Sequence, residues 1–122
     1  VLREVQAWGV PTLLTGLSNP VQLLWARAQG ANFVAPYVGR LQADGRDVWS
    51  LIEACVAVQA DGLQLLAASI KSADVLSRLI AAGAHAVTVR PEFAAELATD
   101  PLTLTAMAQF DRDVETSHKV VL

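Results

Sequence analysis

Five polar residues end, or closely follow, apolar runs of the sequence: Thr15, Tyr37, Arg40, Ser69 and Lys71. Arg40, Ser69 and Lys71 offer a guanidinium, a hydroxyl and an ammonium group, which together can bind phosphate through charge-assisted hydrogen bonds. A helix predicted just after Lys71 would add backbone N–H groups. The Tyr37 hydroxyl can orient a water molecule or act as an acid. Each side chain alone also has a structural explanation, but their joint occurrence favours a phosphate site.

Other residues with reactive side chains are better explained by structure. His85 precedes an apolar run and His118 lies near the end of the chain. Cys55 falls in the apolar stripe of a predicted helix, where a thiol packs as a small apolar group. Asp44 and Asp47 flank Gly45, where turn formation explains them. None of these groups has the spacing of metal ligands, so we expect no metal site.

The elements that would position the polar residues follow from apolar periodicity and capping signals. Apolar runs predict strands over residues 11–15, 33–38, 63–69 and 86–89. Helices are predicted over residues 1–8, 20–29, 47–60, 73–82, 91–97 and 101–115. The chain between residues 39 and 47 is predicted to be a loop, and residues 116–122 a loose tail.

Alternating strands and helices predict an α/β fold with a parallel sheet and right-handed crossovers. Two architectures use such units: an open doubly wound sheet and a (β/α)8 TIM barrel. The first predicted turn, Thr15-Gly16-Leu17-Ser18, lacks the glycine-rich phosphate loop typical of the open sheet. A barrel needs eight units, and this sequence has about four, so it looks like half a barrel.

Composition narrows the possible functions. The chain has 122 residues, 53% of them hydrophobic and 17% charged, which suits one domain and excludes intrinsic disorder. A net charge of −3 argues against nucleic-acid and polybasic membrane partners. A lone cysteine and the absence of a signal peptide predict a cytoplasmic protein. The chain starts at Val1 inside a predicted helix, which suggests missing upstream sequence; a naturally short protein is the alternative.

Four segments carry a resemblance to a known family. They are PTLLTG (11–16) with Gln22 downstream, GANFVAPYVGRLQADG (30–45), LLAASIKS (65–72) and AGAHAVTVRPE (82–92). The chain resembles the carboxyl-terminal half of the transaldolase family, in the branch that includes fructose-6-phosphate aldolase. The resemblance implies that residues 1–122 form the C-terminal half of a single (β/α)8 barrel domain, with strands five to eight and an extra C-terminal helix at 101–115.

The resemblance also implies a reaction. Members are class I aldolases that form a Schiff base between a lysine and a ketose, without a metal or other cofactor. Thr15 and Tyr37 match residues that hold the catalytic water, and Ala35 matches a wall of the donor pocket. Arg40 and Ser69 match the phosphate-binding pair, with Lys71 beside them.

Two departures from the family limit this expectation. The Schiff-base lysine is expected upstream of Val1, because neither Lys71 nor Lys119 matches it, so this segment alone is expected to be inactive. Ser18 stands where relatives often carry an aromatic residue, which leaves the shape of the pocket wall open.

Two other functions stay open on the sequence. The apolar composition also suits a non-catalytic half-barrel interaction module that pairs with itself or with a partner. Another phosphate-binding (β/α)8 enzyme would keep the same site without the Schiff base. The expected partners are a sugar-phosphate substrate, the N-terminal half of the barrel and, in a homo-oligomer, further copies of the protein.

Overall fold

A computed structural model describes residues 1–121 of the chain. It divides into two compact units, Val1–Val89 and Arg90–Leu122. The first unit alternates strands and helices, and a 3-10 turn (Gln59–Asp61) follows its fourth helix. Its elements are α1 (Leu2–Ala7), β1 (Leu13–Thr15), α2 (Pro20–Ala28), β2 (Phe33–Ala35), α3 (Val38–Ala43), α4 (Val48–Ala57), β3 (Gln64–Ala67), α5 (Ala73–Ala82) and β4 (Ala86–Val87).

The four strands form one parallel sheet in the order β1-β2-β3-β4. Thr15 of β1 lies in register with Ala35 of β2. Each pair of neighbouring strands is connected through at least one helix, as parallel pairing requires. The arrangement is that of a partial (β/α) barrel, which confirms the predicted α/β class and the parallel sheet.

The core lies on the face of the sheet that the helices cover. Val34, Leu65 and Ala67 are fully buried there, and Leu51 and Ile52 of α4 are buried with them. Successive strand residues point to opposite faces, so a second set of side chains lies on the other face. This open face includes Leu13, Phe33, Gln64 and Leu66; Leu13 is 40% exposed and the other three are half-buried. One face of the sheet is therefore packed, and the other is only partly covered.

Helix capping follows the sequence at two predicted starts. The Asn19 side chain accepts a hydrogen bond from the Gln22 N–H, and Pro20 occupies the first helical position of α2. The Ser72 hydroxyl accepts a hydrogen bond from the Val75 N–H at the start of α5. Both helices begin where the sequence predicts.

The predicted loop over residues 39–47 is wrong, because its first half is helix α3. Leu41 donates its N–H to the carbonyl of Tyr37, and Asp44 donates to the carbonyl of Arg40. Val38 and Leu41 are both buried, so packing stabilises a helix too short to persist by its own propensity. The second strand is correspondingly shorter than predicted and ends at Ala35.

The second unit contains two helices, α6 (Pro91–Ala98) and α7 (Pro101–Val121). Asp100 accepts hydrogen bonds from the N–H groups of Leu102 and Thr103, which fixes the predicted start of α7. The predicted tail is wrong for residues 116–121, which continue this helix, and residue 122 lies outside the described part of the chain. No helix among the described residues is long and apolar enough to cross a membrane.

Candidate functional site

The carboxyl ends of β1, β2 and β3 bring the predicted site residues to one edge of the sheet. Thr15 ends β1 beside Ala35, and the N–H of Gly16 donates to the carbonyl of Ala35 at 3.3 Å. In-register neighbours of a parallel sheet point to the same face, so Thr15 and Ala35 share one side. The Thr15 side chain is exposed and Ala35 is buried. A small buried side chain beside a hydroxyl suits the wall of a pocket.

Tyr37 connects the ends of β2 and β3. It forms a parallel bridge with Ala68, and the N–H of Val38 donates to the Ala68 carbonyl at 2.8 Å. Pro36 lies just beyond β2, where no ladder donor is needed, and its carbonyl accepts the N–H of Ala68. Tyr37 is half-buried and caps the start of α3. Backbone hydrogen bonds of its two neighbours, Pro36 and Val38, thus hold Tyr37 beside Ala68.

Helix α3 brings Arg40 back to Tyr37. The Arg40 Cζ atom lies 4.9 Å from the centroid of the Tyr37 ring, a cation–π contact between positions i and i+3. A loop would not bring these two side chains together, whereas a helix places positions i and i+3 on the same side. Arg40 is exposed, so its guanidinium N–H groups face solvent at the sheet edge. They are available to an anionic ligand.

Ser69 has an unusual backbone conformation. Its φ is +60°, and among the described residues it is the one non-glycine position with a positive φ. This left-handed conformation costs a non-glycine residue of the order of 1–3 kcal/mol and is found preferentially at functional sites. The Ser69 carbonyl accepts the N–H of Gly39 at 2.8 Å, which helps to hold the conformation.

Lys71 lies across the backbone that carries Tyr37 and Arg40. Its Cγ and Cε atoms pass within 2.8 Å and 3.1 Å of the position that a Cβ atom would occupy at Gly39. Two residues on from the strained Ser69, the lysine stem therefore reaches the first turn of α3. Ser69 and Lys71 thus converge on Gly39, the residue that precedes Arg40. No pattern in the sequence marks Gly39 as part of the site.

A cavity of about 180 Å³ lies beside Thr15. Gly16, Gln22 and Trp25 also contribute to its walls. The Gln22 side-chain oxygen accepts hydrogen bonds from the Ser18 N–H at 2.7 Å and from its hydroxyl at 3.1 Å. Ser18, whose effect on the pocket wall the sequence leaves open, therefore connects the loop after β1 to Gln22 of α2. Trp25 is 61% exposed.

The residues that the sequence assigned to structure have structural contacts. Cys55 is buried, and this burial raises its thiol pKa to about 12. The N–H of His85 donates to the Gln59 side chain, and its ring lies against Phe33 at 6.2 Å between centroids. Asp47 caps α4. In the part of the chain that the structure describes, no group of three His, Cys, Asp or Glu residues could hold a metal ion.

Fold and strand ends together define a partial (β/α) barrel of the class that binds ligands at the carboxyl ends of its strands. A comparison with family models matches residues 1–121 to the transaldolase/fructose-6-phosphate aldolase family. The chain belongs to this family, as its motifs predict.

Individual relatives agree with the family assignment. The chain is 33% identical over 118 residues to a probable transaldolase of Halalkalibacterium halodurans, with 92% of this chain and 56% of the relative covered. It is 34% identical over 104 residues to a probable transaldolase of Roseobacter denitrificans, covering 83% and 48%. The corresponding protein of Caulobacter vibrioides is 30% identical over 116 residues, covering 93% and 54%. The chain spans about half the length of the curated relatives it matches.

Proposed function

We propose that the whole protein is a class I aldolase that acts on sugar phosphates through a Schiff base, with transaldolase-like or fructose-6-phosphate aldolase-like activity. The observation that carries the proposal is the convergence of Arg40, Ser69 and Lys71 around Gly39, in a member of this family. In the proposed barrel, β1 to β4 are strands five to eight and α7 is the extra C-terminal helix.

Arg40, Ser69 and Lys71 would bind the phosphate of the substrate. The guanidinium supplies paired N–H donors, the Ser69 hydroxyl donates one hydrogen bond, and the ammonium supplies charge. The ring of Tyr37 supports the guanidinium at 4.9 Å, which restricts its motion before the substrate arrives. Ala35 would form the wall of the donor pocket, since its small buried side chain leaves room for the sugar.

Thr15 and Tyr37 would hold a water molecule through their hydroxyl groups. In cleavage of fructose 6-phosphate, the lysine amine condenses with the C2 carbonyl and releases water. The held water then takes the proton of the 4-hydroxyl as the bond between C3 and C4 breaks, and the bonding electrons move to the imine nitrogen. Glyceraldehyde 3-phosphate leaves. The remaining three-carbon enamine is then either protonated and hydrolysed, or it adds to an acceptor aldehyde before hydrolysis releases the product.

The Schiff-base lysine is proposed to lie outside these 122 residues. Lys71 is next to the proposed phosphate site, where a neighbouring anion stabilises the charged ammonium rather than the neutral amine that a nucleophile needs. Lys119 is on an exposed part of α7, without the enclosed setting that a Schiff-base nucleophile needs. The 122-residue segment alone is therefore expected to be inactive.

The proposal is tested by the products of the full-length protein. Incubation with fructose 6-phosphate should release glyceraldehyde 3-phosphate, detected by a coupled dehydrogenase, or should transfer the three-carbon unit to an added aldose phosphate. Arg40→Met is the matched variant, because it keeps an unbranched side chain and removes the guanidinium that lies over Tyr37; it should lower the rate with fructose 6-phosphate. Neither release nor transfer with the full-length protein would contradict the proposal.

A second candidate function follows from the open face of the sheet. Leu13 is 40% exposed, and Phe33 and Leu66 are half-buried, which suits a half-barrel that pairs with another surface without catalysis. A well-folded, homogeneous dimer of the isolated 122-residue chain would favour this module. A segment that folds only together with an upstream half would favour the aldolase. We also propose that this aldolase is cytoplasmic and forms a homo-oligomer.

A further inference from the structure

Gly39 differs from every other glycine of the chain. Six of the seven glycines have a positive φ, which explains them by backbone conformation. Gly39 does not, yet a Cβ atom built on it would lie 2.5 Å from the Ser69 carbonyl oxygen and 2.8 Å from Lys71 Cγ. Real Cβ atoms do not come this close to other heavy atoms. Space, rather than backbone freedom, explains this glycine.

The space that Gly39 leaves is filled by the stem of Lys71. Its Cγ and Cε atoms both lie near the Gly39 Cα, so the side chain runs across the glycine rather than away from it. Gly39 immediately precedes Arg40, whose guanidinium is stacked on Tyr37. Because Gly39 has no side chain, the stem of Lys71 can cross the chain directly before Arg40.

Arg40 and Lys71 carry like charges on segments that meet at Gly39, and like charges repel each other unless an anion lies between them. The ion pairs of the described residues are Val1–Glu4, Arg27–Asp61 and Arg46–Asp44, which include neither Arg40 nor Lys71. Among the described residues, no carboxylate therefore lies within ion-pair distance of either cation. An arrangement of this kind favours an anionic ligand.

We propose that Gly39 is a positioning residue for the anion site, and that the absence of a side chain there directs Lys71 toward the ligand of Arg40. The identity of that ligand as a sugar phosphate rests on the proposed function, whereas the positioning role does not. A side chain at position 39 would force the Ser69 carbonyl to shift and would push the lysine stem aside. The preference of the enzyme for phosphorylated over unphosphorylated substrates is then set partly at a residue that never touches the substrate.

The test uses the full-length protein and inorganic phosphate as the probe, with binding measured by titration calorimetry. Gly39→Ala should weaken phosphate binding about tenfold, the size expected for losing one charged contact. Gly45→Ala is the matched control, because Gly45 lies just past the other end of α3 with a φ of +71° and no atom within 4 Å of an added Cβ. It strains the backbone without approaching the site, and phosphate binding should persist. Unchanged binding in Gly39→Ala, or equal losses in the two variants, would overturn the proposal.

A double variant separates an effect through Lys71 from a general disturbance. In a Lys71→Met background, Gly39→Ala should weaken phosphate binding by a much smaller factor than it does in the wild type. An equal factor in both backgrounds would overturn the positioning role. Should Gly39→Ala fail to fold, nuclear Overhauser contacts in the wild type decide: a contact between the Gly39 Hα and Lys71 Hε protons is expected, and its absence contradicts the proposal.

The outcome is distinguishable from that of the proposed function. Phosphate binding that depends on Gly39, without any aldol cleavage, would leave the positioning role standing and refute the aldolase. Cleavage of fructose 6-phosphate by the wild type, together with unchanged phosphate binding in Gly39→Ala, would leave the aldolase standing and refute the positioning role.

Discussion

The guanidinium of Arg40 lies over the ring of Tyr37, with 4.9 Å between the Cζ atom and the ring centroid. This contact joins a residue of the proposed phosphate site to a residue of the proposed water site. At an exposed position such a contact contributes about 0.5–1 kcal/mol. A substitution at either residue is therefore expected to affect the other as well. Variants are needed that separate phosphate binding by Arg40 from water binding by Tyr37.

Tyr37→Phe separates the hydroxyl from the ring. Phenylalanine keeps the aromatic face under Arg40 and removes only the group that would hold water. We expect kcat for fructose 6-phosphate to fall about 100-fold or more with KM changed little, since a lost proton-transfer group acts on the chemical step. Tyr37→Leu, which removes the ring as well, should also raise KM. Steady-state kinetics of both variants check this, and a Tyr37→Phe enzyme with normal kcat would contradict the water-holding role.

Arg40→Met tests phosphate recognition. KM for fructose 6-phosphate should rise about 10–100-fold, because the charged hydrogen bonds to the phosphate are lost. The rate with an unphosphorylated ketose should fall by no more than about fivefold, the size of the lost contact with Tyr37. Arg40→Lys keeps the charge but not the paired N–H geometry, and should fall between the two. Equal losses on both substrates would mean that Arg40 supports the fold and not the phosphate.

Ser69 offers a matched pair of substitutions. Ser69→Gly and Ser69→Ala both remove the hydroxyl, so they should weaken phosphate binding equally. Glycine, however, accepts the φ of +60° without steric cost, whereas alanine retains the strain. The glycine variant should therefore be more stable than the alanine variant by about 1 kcal/mol, measured by urea unfolding of the full-length protein. Equal stabilities would show that the left-handed conformation stores no strain.

Much of this site could be predicted from sequence, because strand order and strand ends follow from local patterns. Asn19-Pro20 and Ser72 mark helix starts chemically, and parallel pairing then places the strand ends at one edge. Helix α3 could not be predicted, because burial of Val38 and Leu41 by distant elements stabilises it. Contacts across the sheet, such as Lys71 on Gly39, likewise depend on register that no local pattern specifies.

The end of α7 was missed for a different reason. Its last turns are polar and lack an apolar stripe, so periodicity predicts no helix there. Local bonds continue the helix instead: Gln109 donates to Asp113, and the Thr116 hydroxyl donates to the Arg112 carbonyl.

The capping carboxylate of Asp47 should make the free energy of unfolding depend on pH. Its carboxylate accepts hydrogen bonds from the hydroxyl and the N–H of Ser50, and these bonds lower its pKa below the ordinary value of 3.8. A lowered pKa stabilises the fold above the ordinary value, and this contribution is lost as pH falls through the pKa of the folded state. Asp47→Asn keeps a capping oxygen but does not titrate. The wild type should exceed this variant in stability at neutral pH, and the difference should shrink in acid; a constant difference would contradict the account.

Cys55 should be inert in the folded protein. Burial raises its thiol pKa to about 12, so almost no thiolate exists at neutral or mildly alkaline pH, and the side chain is shielded from reagents. Iodoacetamide should leave the peptide that contains Cys55 unmodified in native buffer and alkylate it fully in urea. The extent of modification is read by mass spectrometry of the digested protein. Rapid native alkylation would show that α4 does not pack on the sheet as described.

Covalent trapping tests the central claim most directly. Borohydride reduces a Schiff base to a stable amine, so the full-length protein treated with fructose 6-phosphate and borohydride should gain the mass of a reduced sugar adduct on a single lysine. Peptide mapping should place that lysine outside the 122 residues, and the isolated segment should gain no mass. Trapping on Lys71 or Lys119, or no trapping with the full-length protein, would contradict the account.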